Sequence, residues 1–373
     1  MIKLTLQYEW EPAPGQGTVL DAMLFRVLRA IHETGSIAAA ARRVDMSYRY
    51  VWGLTGKWEK HLGRPLVVLQ QGRGASLTEF GEKLLWAQRL VAARLTPDLE
   101  SVRQEIERAL TESTEGGGER LSVCASHDLA LAQLRDRLAQ RPGLKLDVRF
   151  QGSLESLGAL ARDQCALAGF HVAEGLEDAA RAQFRELLEP GEHVVAGFAT
   201  RTQGLMLAQG NPKGVASLAD LARAGVRFVN RQRGSGSRIE FDQLLSGAGI
   251  EAAAIDGYQN EEFTHLAVAA TIAGGRADAG YGIKAAAAEY GLDYLPLLTE
   301  RYYFACRRDA LEQPLVQAFL AALRSPELRE ILGRLAGYGT GITGQVFAVG
   351  DALPGARAAR TAPRGAGHGA KAR

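Results

Sequence analysis

Ser36-Ile37-Ala38-Ala39-Ala40-Ala41-Arg42-Arg43-Val44-Asp45-Met46-Ser47-Tyr48-Arg49-Tyr50-Val51-Trp52-Gly53-Leu54 carries two helix starts joined by a short turn. Ser36 and Ser47 are each placed to cap an orphan first-turn N–H. Helices that cross steeply need small residues at the contact. Ala40-Ala41 supplies them on the first helix, and Val51 with Leu54 supplies the apolar stripe of the second. Val44-Asp45-Met46 is the turn, so the stretch reads as a helix-turn-helix whose second helix exposes Tyr48, Arg49, Tyr50, Trp52 and Lys57. Such a helix enters a major groove, where Arg forks onto guanine and rings meet thymine methyls.

Working outward, Leu66-Val67-Val68-Leu69 and Ala75-Ser76-Leu77 flank a glycine-bearing tip with Arg73, which reads as a wing hairpin. Between Arg42 and Arg73 the bases Arg42, Arg43, Arg49, Lys57, Lys60, Arg64 and Arg73 face only Asp45 and Glu59, on a chain of formal net charge +2. A local basic patch on a near-neutral protein points to phosphate contact. The set Ser36, Ala40-Ala41, Ser47, Glu59, Leu62-Gly63 and Leu77-Thr78-Glu79-Phe80-Gly81 resembles the winged-helix domain of LysR-type regulators. Met46-Ser47-Tyr48-Arg49-Tyr50-Val51-Trp52 with Gly72-Arg73-Gly74 is closer to the molybdate-dependent regulator branch and departs from typical LysR proteins in its aromatic recognition helix. The DNA-contacting candidates are therefore Ser36, Ser47, Tyr48, Arg49, Tyr50, Trp52, Lys57 and Arg73.

At 373 residues, 46% hydrophobic and 23% charged, the chain has material for two or three domains with real cores. No apolar run approaches the roughly 20 residues of a membrane span, and Met1 to Gly17 holds Glu9, Glu11 and two prolines rather than a signal core, so a cytoplasmic location is expected. Cys124, Cys165 and Cys306 lack disulfide or zinc spacing and read as small buried apolar residues. Phe80, Leu84, Val91, Leu95, Leu99, Val102, Ile106 and Leu110 form the seam of a long helix over 79–112. In a LysR-like arrangement that seam pairs with its copy in a dimer or tetramer over a two-fold operator; the alternative is packing on the chain's own second domain. Thr96-Pro97-Asp98 predicts a kink or break.

The expected organisation is a winged helix-turn-helix domain (1–78), a linker helix (79–112), a glycine-rich linker (113–119), an α/β body (120–350) and a disordered basic tail (351–373). In the body, strands over 121–125, 144–150, 166–170, 194–199, 226–230 and 277–281 alternate with helices over 128–139, 154–162, 240–247, 263–273 and 311–323, which predicts parallel sheets in two lobes. Ligands sit beyond the carboxyl ends of such strands. Ser126-His127-Asp128, Gly152-Ser153, Gly169-Phe170-His171, Asn230 to Arg238 and Thr264-His265 occupy those places, and hydroxyls and N–H groups at helix starts suit a small anion. One of Arg231, Arg233 or Arg238 aimed inward would add a charge-assisted fork. Gly234-Ser235-Gly236-Ser237 lacks the Lys-Ser/Thr ending of a P-loop, and the histidines lack metal-ligand spacing. Three consecutive residues cannot form a nucleophile relay, so Ser126-His127-Asp128 is no triad. Capture rather than turnover is the chemistry implied.

Those segments, with Ala277-Asp278-Ala279-Gly280-Tyr281-Gly282-Ile283, look like the periplasmic-binding-protein-like domain of molybdate-binding type. The resemblance implies a type II two-lobed fold, molybdate or tungstate as effector, no cofactor, and no enzymatic role. It implies a cleft lined by Ser126, Ser153, Arg231, Ser235, Ser237 and Thr264, with His127, Asp128, His171, Arg238 and Tyr281 as further members. The residues themselves say only small oxyanion; sulfate or a carboxylate such as formate stays open. So do an enzyme acting on a small acid and an anion store with a vestigial head.

Overall fold

A computed structural model describes residues 8–12, 19–70, 74–112, 120–140, 143–175 and 186–353, with the single positions 4, 6, 182 and 184. The expected linker 113–119, the wing-tip residue Arg73 and most of the expected tail lie outside the described residues.

Helix α1 (Ala22–Thr34) is capped by Asp21, which accepts from Met23 N at 2.7 Å, and it ends at the left-handed Gly35. It packs Leu24, Leu28 and Ile31 on α2 (Ile37–Arg43) and α3 (Tyr48–Leu62), whose caps Ser36 and Ser47 accept from Ala39 N and Tyr50 N. Asp45, at φ 57, makes the turn between them. Strands β1 (Val67–Gln70) and β2 (Gly74–Leu77) pair antiparallel as the wing. Glu59 fixes that hairpin to α3 by accepting from Leu66 N (2.8 Å) and Val67 N (3.0 Å). Gly81 is required by close approach, because a Cβ there would stand 2.4 Å from Leu66 O.

Helix α4 (Glu79–Glu112) runs through Pro97 as one helix, so of the expected kink or break the break is absent. Its first half docks on the body: Trp86 Nε1 donates to Ala270 O (2.6 Å), Arg89 lies 3.8 Å over the Tyr290 ring, and Arg94 forks onto Glu262. Its second half leaves Leu95, Val102, Ile106 and Leu110 exposed. Part of the helix thus packs on its own chain, and part of the apolar seam is exposed.

The body is one mixed sheet in the order β4-β3-β5-β10-β6-β9-β7-β8. Two long strands, β6 (His193–Leu207) and β10 (Asp293–Arg307), pair antiparallel along their length and pass from one lobe to the other. Lobe 1 adds parallel β3 (Leu121–Ala125), β4 (Leu146–Phe150) and β5 (Leu167–Ala173), with α5 (Leu129–Ala139) and α6 (Ser153–Ala161). Lobe 2 adds β7 (Phe228–Arg231), β8 (Glu261–Glu262) and β9 (Ala279–Ile283), with α7 (Gly236–Gly247), α8 (His265–Ala273) and α9 (Lys284–Glu289). Helices α10 (Pro314–Leu323) and α11 (Pro326–Arg334) close lobe 1. Short β11 (Tyr338–Gly339) and β12 (Val346–Ala348) then border β6 before α12 (Val349–Ala352).

The wholly parallel expectation is corrected by the β6–β10 pair. Strand β10 escapes a reading by pattern because Pro296 interrupts it and the register shifts there. Apolar cores on both sheet faces hold each lobe: Phe198, Phe304 and Phe319 on one face of lobe 1, Phe170 and Tyr303 on the other, and Phe228, Phe241 and Tyr281 in lobe 2. The three cysteines are free and buried. Among the described residues no helix is long and apolar enough to cross a membrane.

Candidate effector cleft and DNA-reading face

The floor of the cleft is built by the crossing strands. Arg201 of β6, fully buried, donates from Nη1 to Asp128 Oδ2 (2.7 Å), from Nε to Glu300 Oε1 (2.5 Å) and from Nη2 to His171 Nδ1 (3.1 Å). An arginine cannot accept, so His171 Nδ1 is the acceptor and its proton sits on Nε2, an assignment made from the bonding. Burial and the Arg201 charge push the His171 imidazole down to about 4, leaving it neutral. Across the cleft, burial and the Glu300 carboxylate hold Glu240 of α7 well above the usual range. Glu240 is therefore protonated and donates to Glu300, which burial opposes but Arg201 keeps ionised, below the ordinary carboxylate range.

The walls come from helix starts. Helix α6 opens at Gly152, which has no side chain to cap it, while Glu155 Oε2 accepts from the Gly152 N–H at 3.1 Å. The Ser153 and Ser156 hydroxyls beside it are buried with no hydrogen-bond partner. Facing them is the Gly234–Ser237 turn of lobe 2. A Cβ on Gly236 would lie 3.1 Å from His171 Cδ2 and 3.6 Å from Ser153 Oγ, so the lobes touch here. Ser153, His171, Gly234, Gly236 and Glu240 line a cavity of about 30 Å³ between them. A void of that size holds about one water, so admitting a tetrahedral oxyanion requires the lobes to part.

Arg231 is the cation left over. It donates to Gln232 Oε1 (3.1 Å) and Phe263 O (3.0 Å) and, among the described residues, pairs with no carboxylate. Burial and Arg201 push it down to about 10. His265 is held well below its ordinary range by burial, Arg231 and Arg201, and Arg231 also acts on His127, whose ring packs 5.0 Å from Phe150. Ser237 Oγ accepts from Gln203 Nε2 at 3.2 Å. The expected members Ser153, His171, Ser237, Arg231 and His127 thus share one electrostatic neighbourhood. Ser126 lies at the end of β3, half-buried, with its carbonyl accepting from Tyr302.

The other expected members have different work. Asp128 is consumed by Arg201, by the Tyr338 hydroxyl (2.6 Å) and by the α5 N–H groups of Ala130 and Leu131, so it braces the floor. Ser235 caps α7 and donates to Gln232 O. Arg238 is clasped by Asp242 and Glu261 against the Tyr258 ring. Tyr281 stacks on Phe241 in the lobe 2 core. Thr264 turns its hydroxyl to Ala93 O of α4, away from the cleft. Sequence reasoning missed Arg201, Gln203, Glu240, Glu300 and Ser156. A charge in the middle of an apolar strand run was the available signal for Arg201.

On the head, Tyr48, Tyr50 and Trp52 are 51%, 43% and 47% exposed although the opposite side of α3 buries Val51, Leu54 and Trp58. Tyr48 and Trp52 stack in parallel at 6.5 Å, one helical turn apart, and Arg49 and Lys57 are exposed on the same helix. A crevice of about 1660 Å³ opens between head and body and mixes both charge signs, so it gathers no convergent donor set.

Residues 135–324 match the PBP superfamily domain. The chain belongs to the PBP superfamily. Residues 23–82 match the bacterial regulatory helix-turn-helix protein, lysR family, so this PBP-superfamily protein carries a helix-turn-helix head of that regulatory kind. It is 30% identical over 223 residues to the uncharacterized protein YvgK of Bacillus subtilis (strain 168), covering 60% of this chain and 70% of that one. It is 30% identical over 182 residues to the molybdenum-pterin-binding protein MopB of Rhodobacter capsulatus (43% and 67%). It is 32% identical over 104 residues to the molybdenum transport protein ModE of Azotobacter vinelandii (27% and 37%).

Proposed function

We propose that this protein is a cytoplasmic one-component sensor: the winged head reads duplex DNA as a homodimer on a two-fold operator, and the cleft captures a small oxyanion, molybdate or tungstate. The observation that carries the reading is the pair of buried, unpartnered hydroxyls, Ser153 and Ser156, in the first turn of α6, with Arg231 of lobe 2, which among the described residues pairs with no carboxylate, acting on the His171 ring that lines the same cavity as Ser153. Hydroxyls at a helix start and one cation suit an oxyanion without full neutralisation. The names of MopB and ModE support molybdenum chemistry, and the exposed Leu95, Val102, Ile106 and Leu110 support pairing of α4 with a second copy.

Calorimetric titration of the full-length protein with molybdate, tungstate, sulfate and formate tests the reading. The expected outcome is preference for a tetrahedral anion and a loss of about 1.5–3 kcal/mol in Arg231→Ala, the worth of a charged hydrogen bond. A preference for formate would favour a carboxylate sensor. Indifference of Arg231→Ala to every anion would remove the cleft assignment.

A further inference from the structure

Pro97 sits inside α4 and has no N–H to give to the carbonyl four residues back, that of Ala93. That carbonyl accepts instead from the Thr264 hydroxyl of lobe 2, at 3.0 Å. The next residue, Arg94, closes on Glu262 through Nε (2.9 Å) and Nη2 (2.6 Å), and the buried Glu262 also accepts from Thr271 Oγ1 at 2.7 Å. Glu262 is the β8 partner of Arg231 in β7, and Arg231 donates to Phe263 O. Residues 262–264 therefore join the cleft cation to the linker helix without a gap. On the far side of Pro97, Glu100 accepts from Arg135 Nη1 of α5 at 2.7 Å, an anchor on lobe 1. From Arg94 to Glu100 the helix covers about 9 Å at about 1.5 Å per residue, and it ties lobe to lobe outside the hinge strands.

We propose that this stretch of α4 is the strut that turns lobe movement into movement of the DNA-reading heads; it deepens the sensing function above and rests on it. The first half of α4 is continuous with the head and fastened to lobe 2 by Trp86, Arg89 and Arg94. The second half is fastened to lobe 1 by Glu100 and carries the exposed Val102, Ile106 and Leu110. When the lobes part or close, the two anchors move relative to one another. The helix bends where its ladder is already open, at Pro97. Head and seam then change their mutual angle, which resets the spacing of two heads joined through the seam.

The test uses the full-length protein, molybdate as the probe, and an operator fragment selected in vitro with the wild type. Wild type is expected to change its DNA affinity with molybdate by about 5–150-fold, the usual range of coupling between sites. Pro97→Ala returns an N–H to Ala93 O in a better helix former, and Arg94→Ala opens the clasp at a half-exposed side chain. Each should bring the molybdate effect on DNA affinity below about twofold while the free protein binds molybdate within about threefold of wild type, since the coupling and not the cleft is altered. Variants that respond as wild type does overturn the strut alone. Variants that lose molybdate binding also overturn it, because the residues would then hold the cleft. A wild type whose DNA affinity responds to none of molybdate, tungstate, sulfate and formate overturns the sensing function and the strut with it.

Discussion

Arg201→Met removes the guanidinium that neutralises the cleft floor and keeps a side chain of similar reach. Arg201 contacts Asp128, Glu300 and His171, all buried, so nothing from solvent replaces it. Asp128 retains two α5 N–H groups and the Tyr338 hydroxyl, whereas Glu300 retains the proton shared by Glu240. The penalty therefore falls chiefly on Glu300, and stranding one buried partner costs about 3–5 kcal/mol. Its sign with pH follows from the carboxylate. In the wild type Glu300 titrates below its unfolded value, so its pairing stabilises above that value and is lost as pH falls. In the variant Glu300 takes up a proton more readily, so the defect is greatest at neutral pH and shrinks on acidification.

Urea unfolding read in parallel by far-UV circular dichroism and tryptophan fluorescence measures it cleanly, because Trp10, Trp52, Trp58 and Trp86 all lie in the head and linker helix. At a slope of about 2–3 kcal/mol per molar urea, the midpoint of the body should drop by about 1–2 M. The fluorescence transition of the head should move less. Adding Asp128→Asn and Glu300→Gln to Arg201→Met should recover most of the loss, since a buried ionic set replaced whole is nearly neutral. A midpoint shift below about 0.3 M at pH 7, or one equal at pH 7 and pH 5, would refute the bracing role.

His171, neutral in the fold with its imidazole pushed down to about 4, gains its proton only in the unfolded chain as pH falls from its free value near 6.5. Its contribution to stability is therefore unaltered above that value and worsens toward pH 4 by about 3 kcal/mol, and His171→Gln should flatten the acid limb of urea midpoint against pH. Gly274→Ala places a Cβ 2.0 Å from Trp86 Nε1, which must leave Ala270 O. A red shift in tryptophan emission and a cost of about 1–3 kcal/mol are expected, and an unchanged spectrum would mean that the ring is not seated there. Arg49→Ala should weaken specific DNA binding by about 1–3 kcal/mol in fluorescence anisotropy if it meets a base, and should flatten discrimination at one operator position; an equal loss on all sequences marks a phosphate contact instead.

The head was readable because its signals are local: Ser36 and Ser47 cap the helices they precede, and Glu59 and Gly81 serve the hairpin next to them in the chain. Helix α1 was equally local, with Asp21 before an apolar period of Leu24, Leu28 and Ile31 and Gly35 after it, and it needed only the same reading begun earlier. The cleft was readable in outline, since strand ends do bring Ser153, His171 and Arg231 together. Its membership was not. A hydroxyl that caps its own helix and one that faces a ligand occupy the same position in a sequence, and only the partner atoms separate Ser235 from Ser153.

The floor lay further out of reach, because Arg201 and Glu300 meet across antiparallel strands 99 residues apart. Pro97 shows the same limit from the other side. From sequence a mid-helix proline signals a kink, a defect in a ladder of bonds. Whether the freed carbonyl meets water or a hydroxyl from residue 264 is decided by tertiary packing, and with Thr264 there the helix continues past the proline and becomes a docking point. Thr264 had been expected in the cleft. The same hydroxyl, turned outward, makes it part of the path by which the cleft and the DNA-reading head can be coupled.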